Sequence, residues 1–226
     1  MNSKKPLNGP SLEYSKNPDK LVILLHGYGD TGENFINIAN YLYETSAPIN
    51  FYSPNAPTKI NNFSNGLEWF NLYPNGINFN DAGKAEIEIL KQDCISSLSL
   101  IKNYINEKCN KFSLTYNDCF LIGFSQGAMM SYMLGELINQ KFAGCAIISG
   151  RILNFINSEK NLFINTPIFI SHGDRDTVLK LDYFYESCNI IKKLGFPYES
   201  HLMKEEEHTI SPVLLNLLKN FIKKNV

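Results

Sequence analysis

The sequence is poor in several features that would have declared a function at once. Its single tryptophan and 5 cysteines are spread without a C-x-x-C pair. Cys119 and Cys145 lie inside apolar runs and read as small core residues. A zinc knuckle or disulfide scaffold is therefore excluded, and a reduced, cytoplasmic setting is expected. No charge of either sign dominates, since the net charge is -1. That argues against a nucleic-acid-binding surface. No apolar run reaches the length of a membrane span. None follows Lys4-Lys5, so no signal peptide is expected. Repeats, low-complexity tracts and linkers are also missing. What remains is a chain of 226 residues, 44% hydrophobic and 19% charged, able to bury a substantial core. We read residues 1–226 as one domain, with 1–20 an irregular lead-in carrying an edge strand near Leu12–Tyr14. The composition leaves oligomeric state open.

Short apolar runs alternate with helical patterns. Leu21–Leu25, Ile49–Ser53, Cys119–Ile122, Phe142–Ser149, Pro167–Ser171 and Tyr198–Met203 read as strands. Helices are predicted over 33–45, 81–108, 179–194 and from Ser211-Pro212 to the C-terminus. Asn80 or Asp81 is the expected cap of the second, and Ile87, Leu90, Cys94, Leu98, Ile101 and Ile105 its apolar stripe. Alternation of this kind predicts an α/β architecture with a mainly parallel sheet covered on both faces. Residues 54–79 form a proline- and glycine-marked loop, expected to be an ordered wall of a site because it holds Trp69 and Phe70.

The centre of the sequence is Gly123-Phe124-Ser125-Gln126-Gly127, between an apolar strand and a helix. This is G-x-S-x-G, in which a serine sits on a strained strand-to-helix turn. Glycines two before and two after it are needed because the turn brings those positions together. A serine nucleophile needs a base, and the base an orienting acid. On this architecture the order is serine, acid, histidine. That order excludes His26. His172 stands at a strand end and reads as structural, and His201 lies within a strand. His208, on the last loop, is the preferred base. Among acids after the strand ending at Ser171, Asp176 is favoured over Asp174, with Val178 anchoring its loop in the core.

Gly27-Tyr28-Gly29-Asp30-Thr31-Gly32 matches G-x-G-x-x-G and permits a second reading as a dinucleotide-binding oxidoreductase. Against it, the second strand lacks the acidic residue expected for a ribose. The alternative is an oxyanion loop, with the N–H groups of Tyr28 and Gln126 as donors. A third reading, a non-catalytic binding protein on the same fold, is also open.

The segments Leu25-His26-Gly27-Tyr28-Gly29-Asp30, Pro54-Asn55-Ala56-Pro57, Trp69-Phe70, Gly123–Gly127, His172–Asp176 and His208 resemble, in this order, the phospholipase/carboxylesterase group of α/β hydrolases. The resemblance spans about residues 20–224. It implies a Ser125–Asp176–His208 triad, the Tyr28 and Gln126 amides as oxyanion hole, and neither metal nor cofactor. It also implies that Trp69 and Phe70 wall an acyl-chain channel, while the residues alone equally allow them to plug the core. The implied substrates are carboxylic esters or thioesters, lysophospholipids or S-acylated proteins. Two departures stand out. Tyr28 replaces a common leucine, and Glu205-Glu206-Glu207 replaces a glycine-containing turn.

Overall fold

A computed structural model describes residues 5–43, 47–61, 65–156 and 162–226. Its centre is a seven-stranded sheet in the order β1-β3-β2-β6-β7-β8-β9. β1 (Ser11–Glu13) pairs antiparallel with β3 (Ile49–Tyr52) at one edge. β3, β2 (Lys20–Leu25), β6 (Cys119–Phe124), β7 (Gly144–Ile148), β8 (Ile168–Gly173) and β9 (Tyr198–Met203) run parallel. β4 (Thr58–Lys59) and β5 (Leu67–Glu68) make a separate two-stranded ribbon. The inner strands are apolar at almost every position because helices cover both faces.

On one face lie α3 (Lys84–Phe112), α4 (Gln126–Ile138) and α5 (Asp182–Leu194). On the other lie α1 (Gly32–Phe35), α2 (Ala39–Leu42) and α6 (Pro212–Lys224). From β2 the chain moves left to β3, then returns to the right as β6. The strand order therefore reverses between β2 and β6, where open parallel sheets place their ligand crevice.

Several expected boundaries moved. The helix expected over 33–45 is α1 and α2 joined by a 3-10 turn, Ile36–Ile38, and residues 44–46 lie outside the described residues. The cause is local. The Asn37 amide donates to the Asn34 carbonyl at 3.0 Å, competing for helical acceptors. The long helix begins at Lys84 behind Gly83, not at Asn80 or Asp81, which belong to a 3-10 turn over Phe79–Asp81. In that turn the Asn78 side chain accepts from Asn80 N–H at 2.9 Å. Of its predicted stripe only Ile87 is exposed. α6 starts as expected, with Ser211 Oγ accepting from Leu214 N–H at 3.1 Å and Pro212 next.

Candidate active site

β6 ends in the turn that carries Ser125, whose backbone lies at φ 53, ψ -116. A positive φ at a residue with a Cβ is strained, and here the turn is over-determined by its neighbours. A Cβ on Gly123 would sit 2.2 Å from Gly127 O. One on Gly127 would sit 2.0 Å from Leu25 O. The glycine requirement at these two positions is thus a matter of close backbone approach. Ser125 N–H is held by Ile148 O of β7 at 2.9 Å. Gln126 begins α4, so its N–H has no carbonyl one turn earlier to pair with.

The Gln126 side chain is buried and works as a clamp. Its Oε1 accepts from Trp69 N–H at 2.8 Å, and its Nε2 donates to Phe70 O at 2.8 Å. Trp69 in turn donates from Nε1 to His26 O at 2.9 Å, and Ser97 Oγ donates to Trp69 O at 2.5 Å. Trp69 and Phe70 are each 1% exposed. They are core residues that tie the elbow to the loop after β2, and the expectation that they wall a channel is corrected. The loop's contribution to the cavity comes instead from Leu72, Tyr73 and Phe79.

His26 belongs to the same framework. It donates from Nδ1 to Gly27 O at 2.8 Å and accepts at Nε2 from Ala56 N–H at 3.1 Å. Burial holds its pKa below the usual imidazole value, which favours this neutral form. Beyond it, Gly29 N–H goes to Leu67 O at 2.9 Å and Asp30 N–H to Gly27 O at 3.3 Å. Tyr28 N–H takes part in neither, and Tyr28 lines the same cavity as Gln126. In this loop Gly29 sits at φ 82, and a Cβ on Gly32 would lie 2.1 Å from Ser53 O.

The loops after β8 and β9 meet at the other side of the crevice. Asp176 Oδ2 lies 2.6 Å from His208 Nδ1, and the Asp176 carboxylate is fully buried. Its Oδ1 accepts from Val178 N–H and Leu179 N–H, both at 2.8 Å. Leu179 is buried and anchors the loop, whereas Val178 is 62% exposed, opposite to expectation. His172 packs beneath the same loop. Its Nε2 donates to Leu179 O at 2.9 Å and lies 3.3 Å from Asp176 Oδ2.

Asp174 serves the neighbouring loop, its Oδ1 accepting from Glu205 N–H at 2.7 Å. Arg175 N–H donates to Glu206 O at 2.9 Å. A Cβ on Gly173 would meet Glu206 O at 2.3 Å. The two loops are therefore zipped backbone to backbone, and this sets the Asp176–His208 distance. Phe124 packs on the His208 ring with centroids 4.8 Å apart. His201 stands well away, its ring 4.9 Å from that of Phe169.

Ser125, His208, Tyr28 and Gln126 all line one cavity of about 430 Å³. Its remaining walls are largely apolar, with Leu72, Phe79, Phe124, Met129, Val178 and Leu179. Met129 had a sequence signal, because it falls one helical turn after Ser125 and so lies over the same end of α4. Phe79 had none, since its position depends on how a long loop packs. A nucleophile elbow at the switch point of a doubly covered parallel sheet, with an acid–histidine pair across the crevice, defines an α/β hydrolase.

The comparisons give the particular family. The model of the phospholipase/carboxylesterase family matches residues 12–226, and the chain belongs to that family. It is 30% identical over 237 residues to acyl-protein thioesterase 1 of Candida albicans, covering 97% of this chain and 96% of the relative. The thioesterase 1 of Saccharomyces cerevisiae is 28% identical over 223 residues, covering 91% and 92%. In fold the chain is similar to crystallised esterase PE8, with TM-score 0.83 at 24% identity over 98% of this chain and 100% of the other. The protein is a serine hydrolase of carboxylic esters or thioesters. The dinucleotide-binding reading of Gly27–Gly32 has no support and is set aside.

Proposed function

We propose that Ser125, His208 and Asp176 form the catalytic triad of a hydrolase whose preferred substrates are acyl thioesters, S-acylated cysteines above all. The observation that carries this is the 2.6 Å Asp176–His208 contact on the cavity that holds the strained Ser125. The names of the relatives, acyl-protein thioesterases, favour the thioester, and the apolar lining of the cavity suits an acyl chain. The triad residues follow β6, β8 and β9 of one sheet, so the whole chain acts as one domain in this reading.

The chemistry proceeds in two halves. Ser125 Oγ attacks the acyl carbonyl, a C–O bond forms, and His208 Nε2 takes the hydroxyl proton. Asp176 keeps the proton on Nδ1 and stabilises the imidazolium. The oxyanion is held by Tyr28 and Gln126 N–H, each such donor being worth about 2.7–4 kcal/mol in the transition state. The C–S bond then breaks and the thiolate leaves with the proton from His208. Water, deprotonated by His208, attacks the acyl-serine, the bond to Oγ breaks, Ser125 takes the proton back from His208, and the carboxylic acid is freed.

No helix among the described residues is long and apolar enough to cross a membrane. All 5 cysteines are free thiols, which supports a cytoplasmic setting. A fluorophosphonate probe tests the site directly. Wild type is labelled and hydrolyses octanoyl thioesters, while Ser125→Ala does neither. Labelling that survives Ser125→Ala overturns the assignment.

A further inference from the structure

A second cavity of about 490 Å³ adjoins the catalytic one and shares Tyr28 and Tyr73 with it. Its character is opposite. Lys59, Glu68, Asn71 and Asp93 line it, and polar surface replaces the leucine, methionine and phenylalanine next door. Glu68 is 8% exposed, an unusual place for a carboxylate. Neither Glu68 nor Asp93 forms an ion pair among the described residues. Lys59 lies at the exposed rim, on the outer ribbon. Burial pushes the Glu68 pKa up to about 6, against a hydrogen bond from the Leu72 backbone that lowers it and with a smaller push from the charge of Asp93. The Glu68 carboxylate raises the pKa of the Tyr28 phenol, after the larger effect of burial, so the Tyr28 ring reaches into this cavity.

Two carboxylates against the single exposed Lys59 leave this cavity with a net negative charge. A ligand that carries a positive charge offsets it. The position of the cavity says which part of a substrate enters it. Tyr28 supplies the proposed oxyanion N–H from its backbone and borders the polar cavity with its ring. The apolar cavity takes the acyl chain, so the polar one receives groups from the other side of the scissile bond.

We propose that Tyr28, Tyr73, Glu68, Asn71 and Asp93 form a leaving-group subsite selective for an ammonium-bearing group, such as a lysine beside the acylated cysteine. This rests on the esterase reading above and extends it to substrate choice. The two tyrosine faces add attraction for a cation.

The test uses two N-acetylated dipeptide amides, S-octanoyl-Cys-Lys and S-octanoyl-Cys-norleucine, assayed at pH 8. In wild type the lysine peptide has the higher kcat/KM by roughly tenfold, the size of one charge-assisted contact. Glu68→Gln and Asp93→Asn each bring the ratio below about twofold. Because both peptides are read on one preparation, partial misfolding cancels from the ratio. Equal rates for the two peptides in wild type overturn the subsite, as does a preference that survives in both variants. Failure to hydrolyse either peptide overturns the thioesterase reading on which the subsite depends.

Discussion

Replacing Asp176 by asparagine tests the catalytic row with little disturbance of shape. Oδ1 of Asp176 accepts two backbone N–H groups, from Val178 and Leu179, both at 2.8 Å. In the variant only the amide oxygen can take that place, because an NH₂ there would face two donors. The amide nitrogen is then forced toward His208 Nδ1, 2.6 Å from the present Oδ2. Nδ1 must become the acceptor, so the proton moves to Nε2, the atom that has to receive the serine proton. Where an acid orients a catalytic imidazole in this way, the wrong tautomer costs about 10⁴-fold in kcat. At about 1.36 kcal/mol per tenfold, that is about 5.4 kcal/mol of barrier. The loop keeps its two amide bonds, so the melting temperature stays near that of wild type. The measurement is saturation kinetics on an octanoyl thioester, with circular dichroism melts as the control for folding. A folded Asp176→Asn enzyme within about a hundredfold of wild-type kcat refutes the orienting role.

Two further predictions concern stability. Glu136 and Tyr132 lie one turn apart on α4, with Glu136 Oε2 and Tyr132 Oη both buried. Burial pushes the Glu136 pKa from 4.5 up to about 7. The folded state therefore holds the proton more tightly than the unfolded one, and stability falls as pH rises from about 4.5 through about 7. The full difference corresponds to roughly 3 kcal/mol, which partial exposure to water reduces to about 1–2. Glu136→Gln is expected to be more stable than wild type by that amount in urea titrations at pH 8, and close to it at pH 4.5. A gain independent of pH refutes the argument.

Glu205 sits at φ 61 in the turn before His208. A left-handed backbone costs a residue with a Cβ about 1–2 kcal/mol, and the Arg175–Glu205 pair at 3.0 Å is exposed and offsets little. Glu205→Gly is expected to exceed Glu205→Ala in stability by about 1 kcal/mol, read from urea midpoints. Equal midpoints for the two variants refute the strain.

Zipping of the two loops also sets the shape of the turn in which this chain has three glutamates. The turn must cross the Asp176 loop closely and pass through positive φ. Glu205 meets that geometry with strain, while Glu206 turns its Oε1 to Ser211 Oγ at 2.6 Å. The run therefore has a structural job, carried by its backbone contacts with the Asp176 loop and by the Glu205 and Glu206 carboxylates.

The sequence alone determined what is local. Apolar runs such as Leu21–Leu25 and Cys119–Ile122 can only be buried, so the strands and the α/β class were legible. The elbow was legible because its constraint is steric and spans five residues, as the 2.2 Å Gly123–Gly127 approach shows. Helix ends were less so, since short polar side chains such as Asn37 and Asn78 compete for the backbone within a turn or two. Only the tertiary structure decided how the long loop packs. Trp69 and Phe70 were drawn into the core, where the Gln126 side chain pins their backbone. Leu72, Tyr73 and Phe79 were left to shape the cavity, and Tyr28 to divide it from the polar one. Burial is shared out among all the apolar side chains of a fold at once, and no stretch of sequence read by itself contains that competition.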